Sequence, residues 1–404
     1  MTGGVQAGGG EMIRDTAHGT PTTEIFSDLA SVEALWRGLE ADPAALATPY
    51  QRFDWVAAYI RSEPDTALRI FVLRDAAGRP EAVIPCHVTR EHGLRVARVV
   101  GAKHANFHMP LFAARTAAAL RPEDLMERLR IAGRNERIAA FAFTHQPFLW
   151  EGTTNPLGLR ADPSPSDAYG LLLDPDPEAT VKRVFSADAR KKLRAKEKKL
   201  IEAFGPVAYR VARTDAEVTA YLAAFYTQKA ARFAALGIVD PYADAPIRDF
   251  IAAGARRDAR SGEAAIEVAA LVGLEGGRVF AVFAGAVDAN RYSGMMTSFD
   301  QDPAVSRSSP GDILLQYLVR DQAARGRRAL DLGVGEARYK TNTCDETIAL
   351  GEVTIPVTLP GRIFALKTVG AARIKRRIKR DPRLSALVRR LRDGHRAVLG
   401  RNRH

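Results

Sequence analysis

The stretch SFDQDPAVSRSSPGDILLQYLVRDQAARGRRALDLGVGEARYK, from Ser298 to Lys340, contains the pattern that decides the fold. It predicts the end of one strand, a loop, a helix that starts at Ser309-Pro310-Gly311 and ends at Gly326, and a second strand that stops at Asp331. A proline in the first helical turn loses no hydrogen bond there, and the serine before it can cap the helix. Because a helix connects the two strands, we expect them to run parallel.

The glycines after Asp331 raise an alternative, the loop that holds S-adenosylmethionine in methyltransferases. Gly333 and Gly335 have the required spacing, but Ala337 occupies the third glycine position. Only about 70 residues follow Asp331, and a doubly wound nucleotide-binding sheet needs more chain than that. The sequence therefore argues against a methyltransferase.

Composition indicates a globular protein with more than one domain. The chain has 404 residues and is 46% hydrophobic, which is typical of two or three domains that bury a core. Its two cysteines, Cys86 and Cys344, lie far apart, so we expect neither a disulfide framework nor a zinc site, and a cytoplasmic location fits best. No apolar run approaches the length of a membrane-spanning helix.

The net charge of +12 comes from one end of the chain. Residues 366–404 contain 14 lysines and arginines against two acids, so the remaining chain is neutral and its charge says little about the substrate. Apolar residues spaced among these basic residues predict a basic amphipathic tail. It either attaches the protein peripherally to the anionic inner membrane or is a disordered, solubilising tail. Nucleic acid is not an expected partner.

The order of elements predicts two similar units. Residues 1–23 are expected to be a disordered leader, 24–165 a first domain, and 166–365 a second domain, with a Pro/Asp-rich boundary between the domains. The second domain is expected to contain helices over 186–204 and about 215–236, three antiparallel strands, one more helix and a last strand. The first domain shows a weaker version of the same order.

The helix start at Ser309 predicts a phosphate-binding site. Its free N–H groups and dipole suit a pyrophosphate, Gly311 allows close approach, and Arg307 adds positive charge. We therefore assign cofactor binding to Arg307, Ser309, Pro310, Gly311 and Asp312. Ordinary helix capping is the alternative explanation for these residues.

An antiparallel meander, a phosphate-ready helix and a parallel strand resemble the core of the GNAT acyltransferases. The usual [QR]-x-x-G-x-[GA] loop is replaced by RSSPG at 307–311. With the DLGVGEARYK stretch that ends at Lys340, this resembles the GNAT branch associated with bacterial cellulose and exopolysaccharide synthesis (CelD/BcsL type), over about residues 30–365. The resemblance implies an α/β fold with mixed α+β sheets, made of tandem GNAT-like acyl-CoA N-acyltransferase domains. It also implies chemistry in the second domain, acetyl-CoA as co-substrate, no metal, and a small-molecule or glycan acceptor.

Acyl transfer to an amine or hydroxyl needs a base for the acceptor and an acid for the leaving thiolate. We prefer Glu336 as the base, because flanking glycine frees it to point into the cleft. Asp331 is either a second candidate or a structural carboxylate that anchors the loop. Tyr339 is the candidate acid, or a packed aromatic.

Lys340 is expected to bind phosphate or an acidic acceptor, or to be a solvated charge. Lys229 and Arg232 are further substrate-binding candidates. Lys229 stands where the family often has histidine, and Phe233 where it often has tryptophan. His104 and His108 have a spacing seen in metal sites, but no glutamate follows His104, so a loop is expected and not a metal.

Two alternatives remain open. One is a FemAB-like transferase that takes an amino acid from charged tRNA, and the other is a catalytically inactive GNAT-like scaffold. The tRNA alternative predicts a long inserted helical arm in the second domain, and the helix over 186–204 is short for that. The basic residues of that helix form either a solvated face or a platform for anionic ligands.

Overall fold

The fold is mixed α/β, with two mixed sheets. The computed structural model describes residues 19–114, 120–257, 262–337, 340 and 343–381. The strands are β1 Thr22–Phe26, β2 Ala67–Arg74, β3 Pro80–Glu91, β4 Leu94–Val99, β5 Leu111–Phe112, β6 Ala140–Pro147, β7 Leu149–Trp150, β8 Thr153–Thr154, β9 Asp162–Pro163, β10 Ala168–Leu172, β11 Val207–Val211, β12 Ile266–Gly273, β13 Val279–Val287, β14 Arg291–Phe299, β15 Ala329–Val334, β16 Glu346–Ile348 and β17 Leu350–Pro356.

The helices follow the local signals in the sequence. They are α1 Glu33–Glu40, α2 Phe53–Ser62, α3 Pro122–Asn135, α4 Pro177–Val184, α5 Ala187–Phe204, α6 Asp215–Ala235, α7 Ala245–Ala255, α8 Pro303–Ser306, α9 Pro310–Ala324 and α10 Leu359–Arg380. Ser186 caps α5 by accepting from the Ala189 N–H. Thr214 and Glu217 form a reciprocal capping box at the start of α6.

Each sheet is an antiparallel meander joined to a pair of parallel strands. The first sheet has the order β1-β2-β3-β4-β6-β17-β9, with β5 paired to β3, and the second has the order β11-β12-β13-β14-β15-β10-β16. The parallel pairs are β4 with β6 and β14 with β15. The predicted parallel arrangement of the strands on either side of α9 is therefore confirmed, as are the α/β class and the tandem GNAT-like architecture.

The two halves of the chain exchange strands. β10 follows the first sheet in sequence but pairs with β15 in the second sheet. β17, near the described end of the chain, returns to pair with β6 in the first sheet. The predicted boundary at 165/166 lies between β9, which belongs to the first sheet, and β10. Main-chain hydrogen bonds thus tie each half of the chain into the other.

The predicted leader of residues 1–23 overlaps β1 by two residues. Thr22 and Thr23 pair with Arg74 and Leu73 at the edge of the first sheet. Residues 1–18 of the leader lie outside the described residues.

An apolar interface also joins the two domains. Trp55 on α2 is fully buried, and its ring meets Phe250 on α7 edge to face at 5.1 Å. Both belong to one hydrophobic core that extends over both domains. Burial of such large aromatic side chains is a major source of stability.

Helix α10 packs its first turns against the first sheet. Phe364 is buried with Val96, Ala140 and Ala142. The helix starts earlier than the predicted tail at 366, and residues 382–404 of that tail lie outside the described residues. Among the described residues, no helix is both long and apolar enough to cross a bilayer.

We predict that Gly361→Ala destabilises the protein by about 2 kcal/mol or more, as overpacking typically does. A Cβ at position 361 would overlap the carbonyl oxygen of Ala139, which directly precedes strand β6. Gly370→Ala in the same helix is the matched control, since a Cβ there meets nothing within 4 Å. The control should be neutral or stabilising by about 0.5–1 kcal/mol, because alanine favours a helix more than glycine does. Urea unfolding of both variants tests this, and equal stabilities would contradict it.

Candidate active site

Strands β14 and β15 part at one defined point. Their parallel pairing runs from Arg291 with Ala329 to Ser293 with Asp331. Beyond that pair β14 continues to Phe299 against β13 alone, with a bulge that leaves Met295 without a register partner. A gap therefore opens along one edge of β14, past Ser293.

The base of this gap is occupied by a side chain from the first domain. Asn106 donates through Nδ2 to the Gly294 carbonyl at 2.9 Å and lies 2.7 Å from the Tyr50 hydroxyl. Ser293 Oγ donates to the same hydroxyl at 2.9 Å. Gly333 has φ +79°, and a Cβ there would lie 3.0 Å from the Asn106 amide. Only glycine suits this position on both counts.

Asp331 lies directly behind Asn106, fully buried. Its Oδ1 accepts from the Gly333 N–H at 3.1 Å, whereas Oδ2 has no hydrogen-bond partner among the described residues. The Arg291 guanidinium is 3.8 Å from Oδ2 and also 3.2 Å from Glu346. Burial raises the pKa of the Asp331 carboxyl to about 6, and Arg291 opposes the rise. This enclosed position suits an anchor for the domain interface.

Two more residues of the GEARYK segment, Lys340 and Glu336, lie close to the turn after β15. Lys340 is buried, and its Nζ donates to the Gly333 and Val334 carbonyls at 3.1 and 3.2 Å. Burial lowers the pKa of this lysine, and Asp331 opposes the change. Glu336 is exposed and accepts from the Tyr169 hydroxyl at 3.3 Å. Tyr339 lies outside the described residues.

The start of α9 forms the other end of the site. Ser309 adopts a left-handed conformation with φ +49°, and its hydroxyl accepts from Lys196 of α5 at 2.6 Å. Pro310 occupies the first turn. Arg307 is exposed, and its Nε donates to the Pro303 carbonyl at 3.0 Å. A Cβ on Gly311 would meet only Phe299, at 3.8 Å.

A cavity of about 290 Å³ lies between α9, α6 and the end of β14. It brings together two of the predicted cofactor-binding residues, Gly311 and Asp312, and two predicted substrate-binding residues, Lys229 and Arg232. Burial lowers the pKa of Lys229, with a smaller contribution from Arg232. An anionic ligand beside Lys229 would oppose this lowering of its pKa.

A second cavity, of about 200 Å³, continues along β14 towards the bulge. It is lined by Met295 and Met296 on the strand and by Asn106 and His104 from the first domain. Thr297, Ser298 and Phe299 line the first cavity. The two cavities thus follow consecutive residues of one strand, from the domain interface to the α9 N-terminus.

The histidines of the HANFH segment point to different places. His104 lines the second cavity, while His108 is buried beside Thr144 and stacks on His145. In the described part of the chain, no group of three or more His, Cys, Asp or Glu side chains could hold a metal ion.

Sequence reasoning missed Tyr50, Asn106, Ser293, Arg291 and Lys196 as site residues. Asn106 lies in the HANFH loop, where only the two histidines were singled out. Lys196 lies in a helix whose basic residues were considered only as a group, as a solvated face or a platform for anionic ligands. No local signal distinguishes either residue, because their partners lie 188 and 113 residues away in the chain.

Residues 187–341 match the family model of the acetyltransferase (GNAT) domain. The match starts at α5 and ends just beyond β15, so it covers the parted strands and the start of α9. No curated protein sequence matches this chain.

Solved structures share the fold over most of the chain. The crystal structure of FemX has a TM-score of 0.55 at 8% identity, covering 84% of this chain and 99% of FemX. A conserved protein of unknown function from Bacteroides thetaiotaomicron has a TM-score of 0.50 at 9% identity, covering 82% and 99%. A tandem GNAT protein from the clavulanic acid biosynthesis pathway has a TM-score of 0.41 at 12% identity, covering 83% and 99%. At these identities the likeness concerns the fold alone.

We predict that Asp331→Asn changes how stability depends on pH. Because burial raises the pKa of Asp331 from 3.8 to about 6, the folded state binds this proton more tightly than the unfolded state. The free energy of unfolding of the wild type should therefore fall as pH rises from about 4 to 6, by about 2–3 kcal/mol from this group. The asparagine variant lacks this contribution, so its stability relative to wild type should rise over that range and level off above it. Urea unfolding from pH 4 to 8 measures the difference, and parallel profiles would contradict the prediction.

Proposed function

We propose that this protein is an acyl-CoA-dependent acyltransferase, with acetyl-CoA as the donor. The observation that carries the proposal is the gap past Ser293, which leads along β14 to a cationic cavity at the start of α9. An extended pantetheine arm has amide groups that suit the edge of a strand. The pyrophosphate that follows it suits the free N–H groups of a helix N-terminus.

The charges around the cavity support an anionic ligand. Lys229 and Arg232 line it, and Lys196 reaches Ser309 at the same helix end. Asp312 is the carboxylate in the cavity lining, and its position in the first turn of α9 is one that favours acids. Gly311 leaves room beside Phe299 that a larger side chain would fill.

In the proposed reaction, an amine or hydroxyl of the acceptor attacks the thioester carbonyl. The new bond to carbon forms, the carbon–sulfur bond breaks, and a proton passes from the acceptor to the leaving thiolate. We assign removal of the acceptor proton to Glu336, which is exposed, and a positioning role to Asp331, which is enclosed. Tyr339 as the acid and Lys340 as an acceptor-binding residue stay predictions. The two carbonyl contacts of Lys340 favour a role in holding the turn after β15.

For the acceptor we propose a sugar or exopolysaccharide precursor, as the CelD/BcsL resemblance implies. The FemAB-like alternative has less support. α5 packs on α9 and β11, and α6 packs on β12, β13 and β14, so neither helix projects as the arm that the tRNA alternative predicts. An open cavity beside Gly311 is needed by an enzyme that binds a ligand there, and an inactive scaffold does not need one.

We predict that acetyl-CoA at millimolar concentration raises the melting temperature, and that Gly311→Trp abolishes the shift. A Cβ at position 311 would meet only Phe299, at 3.8 Å, and the indole beyond it would occupy space in the cavity that Gly311 lines. Differential scanning fluorimetry measures the shift, with adenosine nucleotides and charged tRNA as competing ligands. If acetyl-CoA does not raise the melting temperature of the wild type, the result contradicts the proposal.

Two matched controls accompany this test. Gly38→Trp places the same side chain on an exposed, helical glycine of α1 and should keep the full shift. Lys196→Met should weaken acetyl-CoA binding by about tenfold, as loss of one phosphate contact does. Lys198→Met, on the same helix but paired with Glu202, should leave binding unchanged.

We predict that Glu336→Gln keeps the acetyl-CoA shift but lowers turnover by about 100-fold or more, as loss of a general base does. Thiol release from acetyl-CoA, measured over a panel of amino sugars and sugar nucleotides, gives the turnover. If the variant is as active as the wild type, Glu336 is not the base. That result would not affect the proposed acetyl-CoA site.

A further inference from the structure

The outer face of helix α10 carries a row of uncovered apolar side chains. Leu359, Ile363, Leu366 and Ile374 are 73%, 58%, 76% and 64% exposed. Their spacing along an α-helix places all four on one face. Large exposed apolar residues that stand alone need no explanation, but four in a row on one helix indicate an interaction surface.

The opposite face of α10 fixes the helix to the first domain. Phe364 is buried against the sheet, and Gly361 meets Ala139. Further along, Lys379 on this face donates to the Ser166 hydroxyl, and Arg373, which lies beside the apolar row, pairs with Asp162. The apolar row therefore faces outward on a docked helix.

Basic side chains flank the row. Arg362, Lys367 and Arg377 are exposed, and helical spacing places them beside or in line with the four apolar residues. The sequence from Leu359 to Arg380 contains no acidic residue. The face thus combines an apolar strip with a wholly positive border.

This combination selects one kind of partner. A second copy of the same face would bring like charges together, which opposes association. A nucleic acid would neutralise the charge but leave the leucines and isoleucines in water. An anionic lipid surface satisfies both, since the apolar strip enters the boundary of the acyl chains and the cations meet the headgroups.

We infer that helix α10 docks flat on an anionic membrane surface and so holds the protein at a membrane. This inference does not depend on the acyltransferase proposal. Helix α5 provides an internal contrast, because it is also rich in basic residues but buries Leu193 and Leu200. It therefore offers charge without an apolar row of its own.

Sedimentation of the full chain with lipid vesicles tests the inference. The wild type should bind vesicles that contain phosphatidylglycerol, bind weakly or not at all to pure phosphatidylcholine, and release as salt rises. Ile363→Ser/Leu366→Ser should weaken binding by about tenfold or more, because it removes two of the four inserted side chains. Lys367→Glu/Arg377→Glu should weaken it similarly and reduce its salt dependence.

The control variants match these changes elsewhere on the molecule. Lys191→Glu/Lys199→Glu on α5 makes the same change of charge at exposed positions, and Leu236→Ser removes an apolar side chain that is 54% exposed. Both should bind vesicles as the wild type does. All substitutions are at exposed positions, and unchanged melting temperatures will show that every variant is folded.

Three results would overturn the inference. One is unchanged vesicle binding by Ile363→Ser/Leu366→Ser, and another is an equal loss of binding in the α5 variant. The third is no vesicle binding by the wild type. Binding to a single-stranded RNA oligonucleotide that depends on Lys367 and Arg377 would then identify nucleic acid as the partner instead. The acetyl-CoA shift is measured separately, so failure of one proposal leaves the other standing.

Discussion

The amide of Asn106 lies between strands β14 and β15 at the point where their pairing ends. A buried carbonyl such as that of Gly294 costs about 1–3 kcal/mol if it has no donor. Asn106 supplies the donor at 2.9 Å and reaches Tyr50 at the same time. Because Asn106 belongs to the first domain and Gly294 to the second, the gap along β14 takes this form only when the domains are docked. The half of the molecule that contains the candidate site therefore depends on the other half for its shape.

The exchange of β10 and β17 enforces that docking. Each sheet includes a strand from the other half of the chain, so the domains cannot separate without breaking main-chain hydrogen bonds. The same interface encloses Arg291, whose guanidinium lies 4.4 Å from the ring of Trp150. A buried charge of this kind needs a fixed partner, and Asp331 and Glu346 supply it. The strand pairing and the buried charges thus both lie at the domain interface beside the candidate site.

Much of the second domain could be predicted from local signals. Local signals located α5 and α6, and the three antiparallel strands predicted after them are β12, β13 and β14. These features arise from contacts between near neighbours in the chain, which a sequence displays directly. The strand exchange could not be predicted in this way. Short strands such as β10 carry little pattern, and their partners are chosen by packing over more than a hundred residues.

Some features of the candidate site could likewise be predicted from local sequence, and others depend on tertiary packing. The helix start at Gly311 was visible as a phosphate-binding signal because capping chemistry is local. That Lys229 lies in the same cavity is a matter of tertiary packing, since α6 and α9 are far apart in sequence. Asp331 attracted attention as a carboxylate at the end of a strand. Its complete burial depends on the Asn106 loop above it, which no pattern around Asp331 reveals.

The sequence by itself determined α5, α6, the antiparallel strands after them, the parallel pair around α9 and the positive charge of the last helix, because these properties depend on residues close together in the chain. The tertiary structure decided which strands were exchanged and which carboxylate was buried. It also decided which residues meet in the cavity and which face of α10 lies open to solvent. Those outcomes depend on the free energy of packing distant segments together, and a one-dimensional pattern does not contain that information.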